Sequence, residues 1–168
     1  MNFLSRSDFS KVITNTPLIS IDLCILNGRE MLLGKRMNPP AKNFFFVPGG
    51  RIFKSEFKQD AFKRILKNEL GMAIKKGQEK FVIDLGSYEH FYEDNFLDNK
   101  KFSTHYVVLA YLLSYELLTP IEGCEIKEQH SEYLWIDIDG VNKCKYDIHK
   151  NTLEYLKNPL FKNFGLNE

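Results

Sequence analysis

Gly49-Gly50-Arg51-Ile52-Phe53-Lys54-Ser55-Glu56-Phe57-Lys58-Gln59-Asp60-Ala61-Phe62-Lys63-Arg64-Ile65-Leu66-Lys67-Asn68-Glu69-Leu70-Gly71 is the stretch whose reading decides the fold. Its second half sets apolar residues at Phe57, Ala61, Phe62, Ile65, Leu66 and Leu70, the stripe of an amphipathic helix, and Gly71 can end that helix in a left-handed conformation. Its first half offers a bare glycine backbone that can approach a diphosphate or a metal. A loop of that kind leading into a helix that carries carboxylates is an arrangement suited to Mg²⁺, which takes hard oxygen ligands and lets phosphate oxygens complete its octahedron.

The flanking chain alternates short strands and helices. Phe44-Phe45-Phe46-Val47 predicts a strand just before the glycines, and Met37-Asn38-Pro39-Pro40-Ala41-Lys42-Asn43 a loop, because consecutive prolines remove ladder donors. Residues 18–26 and 31–33 are apolar runs joined by Asn27-Gly28, a dipeptide suited to a tight hairpin turn. Phe9, Val12 and Ile13 at helical spacing predict a helix over 7–14 capped by Ser7, stopped before Pro17. Residues 81–88, 104–114 and 133–136 are rich in β-branched and aromatic side chains and predict strands; residues 147–156 resume helical spacing. No repeat or linker interrupts the order, so one domain over 1–168 is expected, an α+β architecture in which helices flank a mixed sheet as an α/β/α sandwich.

Composition narrows the partners. Of 168 residues 43% are hydrophobic, ample for a core, and 23 Lys and Arg against 22 Asp and Glu leave a net charge of +1. No global field attracts nucleic acid or an acidic membrane, so any anion site must be local. No run reaches the roughly 18 apolar residues of a membrane span, and the amino terminus lacks a signal-type apolar segment, which together predict a cytoplasmic protein. Cys24, Cys124 and Cys144 have neither the number nor the spacing of a disulfide framework or a zinc site.

From Gly50 the chain runs through five residues to Glu56, seven to Arg64, and then Ile65-Leu66-Lys67-Asn68-Glu69-Leu70-Gly71-Met72, which resembles the Nudix signature G-x5-E-x7-R-E-U-x-E-E-x-G-U, U being a bulky apolar residue. Two positions depart from it: Ile65 and Asn68 stand where the family has glutamates, leaving Glu69. Fewer carboxylates hold fewer cations, and isoleucine cannot act as a base. An imidazole that titrates near neutrality stands further on, His130, although a lone histidine before a strand is also consistent with a solvated loop residue.

Taken with six ordered blocks, the departures resemble the GDP-mannose mannosyl hydrolase branch of the Nudix superfamily over residues 3–135. The blocks are Thr16-Pro17-Leu18-Ile19-Ser20-Ile21-Asp22, Leu33-Gly34-Lys35-Arg36, Phe46-Val47-Pro48-Gly49-Gly50-Arg51, His90-Phe91-Tyr92-Glu93-Asp94-Asn95-Phe96, Thr104-His105-Tyr106-Val107-Val108 and Glu128-Gln129-His130. The resemblance implies a Nudix fold and an unusual reaction: water attacks the anomeric carbon of the sugar with inversion and GDP leaves intact. It assigns one Mg²⁺ per subunit to the Gly49 carbonyl, the Glu69 carboxylate and the Gln129 side chain. It makes His130 the general base, supported by Asp22, and Arg36, Arg51 and Tyr106 the groups that stabilise the departing diphosphate.

Some positions keep two readings. Arg64 pairs with Glu56 or a substrate phosphate, or else with Asp60 one turn away. The His90 block either holds the sugar, with His90 the foremost candidate, or is a surface loop whose Phe91 and Phe96 face the core. His105 alternates with Tyr106 and is expected on the opposite face. Phe3, Leu4 and Phe9 either form a homodimer contact, as the branch implies, or cap the core. Residues after Trp135 are expected to be structural. The rival functions are a conventional Nudix pyrophosphohydrolase that attacks phosphorus and a catalytically silent sugar-nucleotide sensor.

Overall fold

A computed structural model describes residues 4–97, 101–124 and 130–164. The elements in order are α1 (Arg6–Asn15), β1 (Leu18–Asn27), β2 (Glu30–Arg36), β3 (Phe45–Phe46), β4 (Gly49–Arg51), α2 (Lys58–Leu70), β5 (Met72–Ile74), β6 (Ile83–Tyr92), β7 (Thr104–Ser114), β8 (Leu118–Pro120), β9 (His130–Asp137), α3 (Lys150–Tyr155) and α4 (Leu160–Asn163). Seven strands form a mixed sheet in the order β3-β2-β1-β7-β6, with β4 added to β1 and β9 to β2; β5 and β8 make a separate ribbon. β1 and β7 run parallel over nine residue pairs, from Leu18 beside Tyr106 to Leu26 beside Ser114.

β1 organises the molecule because both of its faces are covered. Ile21, Leu23 and Ile25 pack with Ala61, Ile65 and Leu66 of α2. Cys24 and Leu26 point the other way, to a core shared with Tyr155 of α3 and Phe161 of α4. Successive side chains of a strand alternate faces, so Asp22 is carried on the α3 side, in line with Cys24. This is the expected sandwich, with helices on both sides of a mixed sheet. Among the described residues no helix is long and apolar enough to cross a membrane.

The boundaries differ from expectation where local chemistry decides them. α1 begins at Arg6 rather than after Ser7, because the cap lies two residues earlier, at Ser5: Ser5 Oγ accepts the Asp8 N–H at 3.1 Å and donates to the Asp8 carboxylate at 2.7 Å. β6 reaches Tyr92 rather than ending at Tyr88, held by pairing with β7 as far as Thr104. Gly71 takes φ 65° and stops α2 as its position predicts. Phe9 is buried in a small cluster with Ile13 and Leu18 and so helps cap the core, whereas Leu4 is exposed and Phe3 lies outside the described residues.

β1 also changes partner along its length. Leu26 and Asn27 pair with β2 across the predicted hairpin, whereas Ser20, Ile21 and Asp22 pair with Arg51, Gly50 and Gly49 of β4. β2 turns to β9 instead, from Glu30 beside Asp137 to Arg36 beside His130. The two sheet branches diverge at Asp22, and that fork opens the cavity described below. Gly34 is essential to the β2 branch: a methyl there would stand 2.6 Å from His130 Cγ and Cδ2 and 2.9 Å from Tyr133 Cε1. Gly34→Ala is therefore expected to destabilise the fold by about 1–3 kcal/mol, measured by chemical denaturation; an unchanged midpoint would contradict the packing.

Candidate active site

A cavity of about 370 Å³ occupies the fork, with polar and apolar walls in similar measure. β1 and β4 contribute Asp22, Gly49 and Arg51, α2 contributes Arg64 and Glu69, and Arg36, His90 and Tyr106 come from β2, β6 and β7. Eight of the ten residues expected to act thus converge on one space. His130 is not part of its wall, and Gln129 lies outside the described residues.

The glycine loop is held in shape by one charged pair. Arg64 Nε donates to Glu56 Oε1 at 2.6 Å and Arg64 Nη2 to Glu56 Oε2 at 2.8 Å, a bidentate fork. The same Nη2 donates to the Arg51 carbonyl at 2.7 Å, and the Phe53 N–H donates to Glu56 Oε2 at 2.9 Å. Helix and loop are so tied at three places, and the Arg64 hydrogen bonds hold the Glu56 carboxyl below the usual range. Of the readings open for Arg64, the structure shows pairing with Glu56.

The inner face of α2 presents Ile65, Asn68 and Glu69 to the cavity. Ile65 is buried and packs beneath Gly50, where an added methyl would sit 3.2 Å from its Cγ1. At two of the positions where the Nudix pattern has glutamates, then, one wall is hydrocarbon and the next an amide. Glu69 is 2% exposed, and its Oε2 makes no hydrogen bond among the described residues. A buried, electron-rich oxygen of that kind fits a divalent cation, whose remaining ligands would come from backbone and amide oxygen; among the described residues no cluster of three or more His, Cys, Asp or Glu offers an alternative.

His130 adjoins Glu69. Its Nδ1 lies 3.0 Å from Tyr133 Oη and 3.3 Å from Glu69 Oε2. Tyr133 Oη donates its one proton to the Glu69 carbonyl at 2.9 Å, so its oxygen accepts from His130, which places the imidazole proton on Nδ1. Nε2 then bears the lone pair, is buried, and has no partner among the described residues. Tyr133 was not singled out from sequence, since a tyrosine at the start of a strand reads as sheet packing. Asp22 was expected to support His130; its hydrogen bond goes instead to Tyr155.

Tyr155 belongs to the carboxy-terminal segment expected to be structural. Its Oη donates to Asp22 Oδ2 at 2.6 Å and lies 3.3 Å from His90 Nε2. Burial raises the Asp22 carboxyl to about 6, offset by the Tyr155 hydrogen bond and by Arg36. Burial likewise lowers His90 to about 4, with the second imidazole of His149 adding to the effect. Phe91 and Phe96, the alternative core residues of that block, are exposed, while His90 and Asn95 are buried, so those two polar members turn inward. The available signal for Tyr155 was its chemistry, because a phenol in an apolar helix needs a partner.

The cations are placed by aromatic rings. The Arg51 guanidinium lies 4.2 Å from the Phe9 ring centroid and 5.7 Å from that of Phe96, and burial lowers its pKa. Arg36 lies 6.0 Å from Phe46 and its Nε donates to the Pro40 carbonyl at 2.7 Å. Tyr106 is raised by burial and so remains a neutral donor. His105 takes the opposite face and stacks on Phe91 at 4.3 Å, as its alternation predicts.

His149 provides a test by acid. It caps α3, its Nδ1 accepting the Asn151 N–H at 3.2 Å, and burial, Lys150 and Arg36 depress its pKa from 6.5 to about 4. A depressed histidine leaves stability intact above its unfolded value and removes it as pH falls from about 6.5 toward 4. Replacing it with Asn, which still caps, is expected to flatten the fall of Tm over that interval relative to the parent; parallel curves would contradict the assignment.

Comparison with known proteins agrees with this geometry. Residues 16–156 match the NUDIX domain model. The chain is 34% identical over 125 residues to the low-salt glycan biosynthesis protein Agl8 of Haloferax volcanii, covering 74% of each chain. Among solved structures, a MutT NUDIX hydrolase from Burkholderia pseudomallei superposes with a TM-score of 0.65 at 20% identity, over 86% of this chain and 99% of its own. The NUDIX domain of Shewanella oneidensis NrtR, solved with ADP ribose, gives 0.57 at 15% identity over 95% and 99%. With the matched region spanning the sheet, the glycine loop and α2, the chain belongs to the NUDIX family of hydrolases.

Proposed function

We propose that the protein hydrolyses a GDP-sugar, GDP-mannose foremost, to GDP and free sugar by attack of water on the anomeric carbon with inversion. The observation that carries this is the inner face of α2: Ile65 and Asn68 occupy the wall where carboxylates would serve attack at phosphorus, while the one carboxylate of that face, Glu69, adjoins an imidazole whose Nε2 has no partner among the described residues. The similarity to a glycan biosynthesis protein supports a nucleotide-sugar substrate.

In this reading His130 takes the proton of the attacking water on Nε2. The imidazolium that results is stabilised by the Glu69 carboxylate 3.3 Å from Nδ1, and Tyr133 fixes the tautomer. Glu69, the Gly49 carbonyl and Gln129 would hold one Mg²⁺ per subunit, which supplies positive charge to the diphosphate. Arg36, Arg51 and Tyr106 donate to the leaving group, where preorganised donors in a shielded site are each worth a few kcal/mol, on the order of 2–4. Asp22 presents negative charge to the sugar as its carbon becomes electron-deficient. A homodimer in the cytoplasm belongs to the same reading.

Incubation with GDP-mannose and Mg²⁺ is expected to yield GDP and mannose on chromatography; GMP with mannose 1-phosphate would overturn it in favour of the conventional pyrophosphohydrolase, and no turnover would favour the sensor. His130→Gln should lower kcat on the order of 10²–10⁴-fold with little change in KM. Full activity in that variant across pH would remove His130 from the base role.

A further inference from the structure

Helix α3 lies behind the cavity wall, and the hydroxyl of its Tyr155 meets two residues that line the cavity, Asp22 and His90. The residue is fully buried, with the Tyr88 ring edge-on at 4.7 Å, and the Oη proton goes to Asp22 Oδ2 at 2.6 Å. A phenol has a single proton, so toward His90 Nε2, 3.3 Å away, the Tyr155 oxygen acts as acceptor. Neutral His90 therefore carries its proton on Nε2 and leaves Nδ1 as an acceptor, which Tyr92 Oη faces at 3.5 Å. β6, α3 and β1 thus contribute to one chain of hydrogen bonds with a single direction, from Tyr92 through His90 and Tyr155 to Asp22.

The chain terminates on the Asp22 carboxylate, which Tyr155 hydrogen-bonds and which the Gly49 backbone and the Arg36 charge adjoin. The terminal torsion of an aspartate is broad, so a hydrogen bond to one oxygen sets the plane of the carboxylate. Tyr155 fills Oδ2, and Oδ1 is left over Gly49, close enough that a side chain at residue 49 would collide with it. We propose that Tyr155 is a positioning residue for the hydrolysis: without touching substrate, it fixes the plane of the Asp22 carboxylate, so that the oxygen it leaves unbonded is held toward the sugar. This rests on the hydrolase reading given above.

Tyr155→Phe removes the hydroxyl and keeps the ring packing against Tyr88, so the cycle of Tyr155→Phe, Asp22→Asn and the double variant is informative. With GDP-mannose as substrate, Tyr155→Phe is expected to lower kcat about tenfold to a hundredfold while KM stays within about twofold, as for a misplaced group. In the Asp22→Asn background it should cost nothing further, because the residue acts through that carboxylate. The wild-type protein should also show a downfield, exchange-protected hydroxyl proton by ¹H NMR, absent from Tyr155→Phe and shifted in Asp22→Asn. An active parent with additive losses, or with no such resonance, overturns the proposal. An inactive parent overturns the hydrolase reading and the catalytic role of Tyr155 together, and is told apart by failure before any substitution is made.

Discussion

An aspartate set into a strand whose residues 20–26 are all buried is the constraint on which the rest of this structure depends. An apolar side chain would satisfy β1 as a central strand; Asp22 does not, and burial moves its carboxyl to about 6. The fold meets that cost with donors and space. Tyr155 comes from α3, Gly49 of β4 lies flat against the carboxylate because it has no side chain, and Arg36 supplies opposite charge. The change of strand partner at Ser20, Ile21 and Asp22 is what brings β4 and its glycines alongside. An ionisable group kept at such a place marks function more than stability.

α2 divides its labour between two faces. Ala61, Ile65 and Leu66 bind the helix to the sheet, while Arg64 and Glu69 work on the cavity side in opposite manners. Arg64 is tied into the structure, since three of the five N–H donors of its guanidinium go to Glu56 and the Arg51 carbonyl. Glu69 is left under-satisfied, with one oxygen lacking a hydrogen bond among the described residues. A rigid loop and one under-satisfied carboxylate suit the single-cation site proposed above, and Ile65 beneath Gly50 puts hydrocarbon where α2 could carry a second carboxylate.

Much of this was legible in the sequence because it depends on local pattern. The α2 stripe, the Gly71 stop, the two buried strands and the face on which Tyr106 and His105 part company all follow from periodicity. The convergence of Asp22, Arg36, Gly49, Arg51, Glu69 and His90 was legible from resemblance. What escaped was long-range pairing. β4 carries two glycines and no β-branched residue, and is a strand because β1 offers it partners. Tyr155 stands 133 positions from Asp22, and its neighbours Leu153 and Leu156 made the helix read as core. Tyr133 escaped because its hydroxyl joins His130 to a carbonyl 64 positions away.

The bond that breaks is the central claim, and ¹⁸O-labelled water tests it directly. With GDP-mannose and Mg²⁺, the account predicts label in the released sugar and none in GDP, with the sugar appearing first as the inverted anomer. Label in a phosphate product would contradict it, because the nucleophile would then have met phosphorus across a wall built of Ile65 and Asn68.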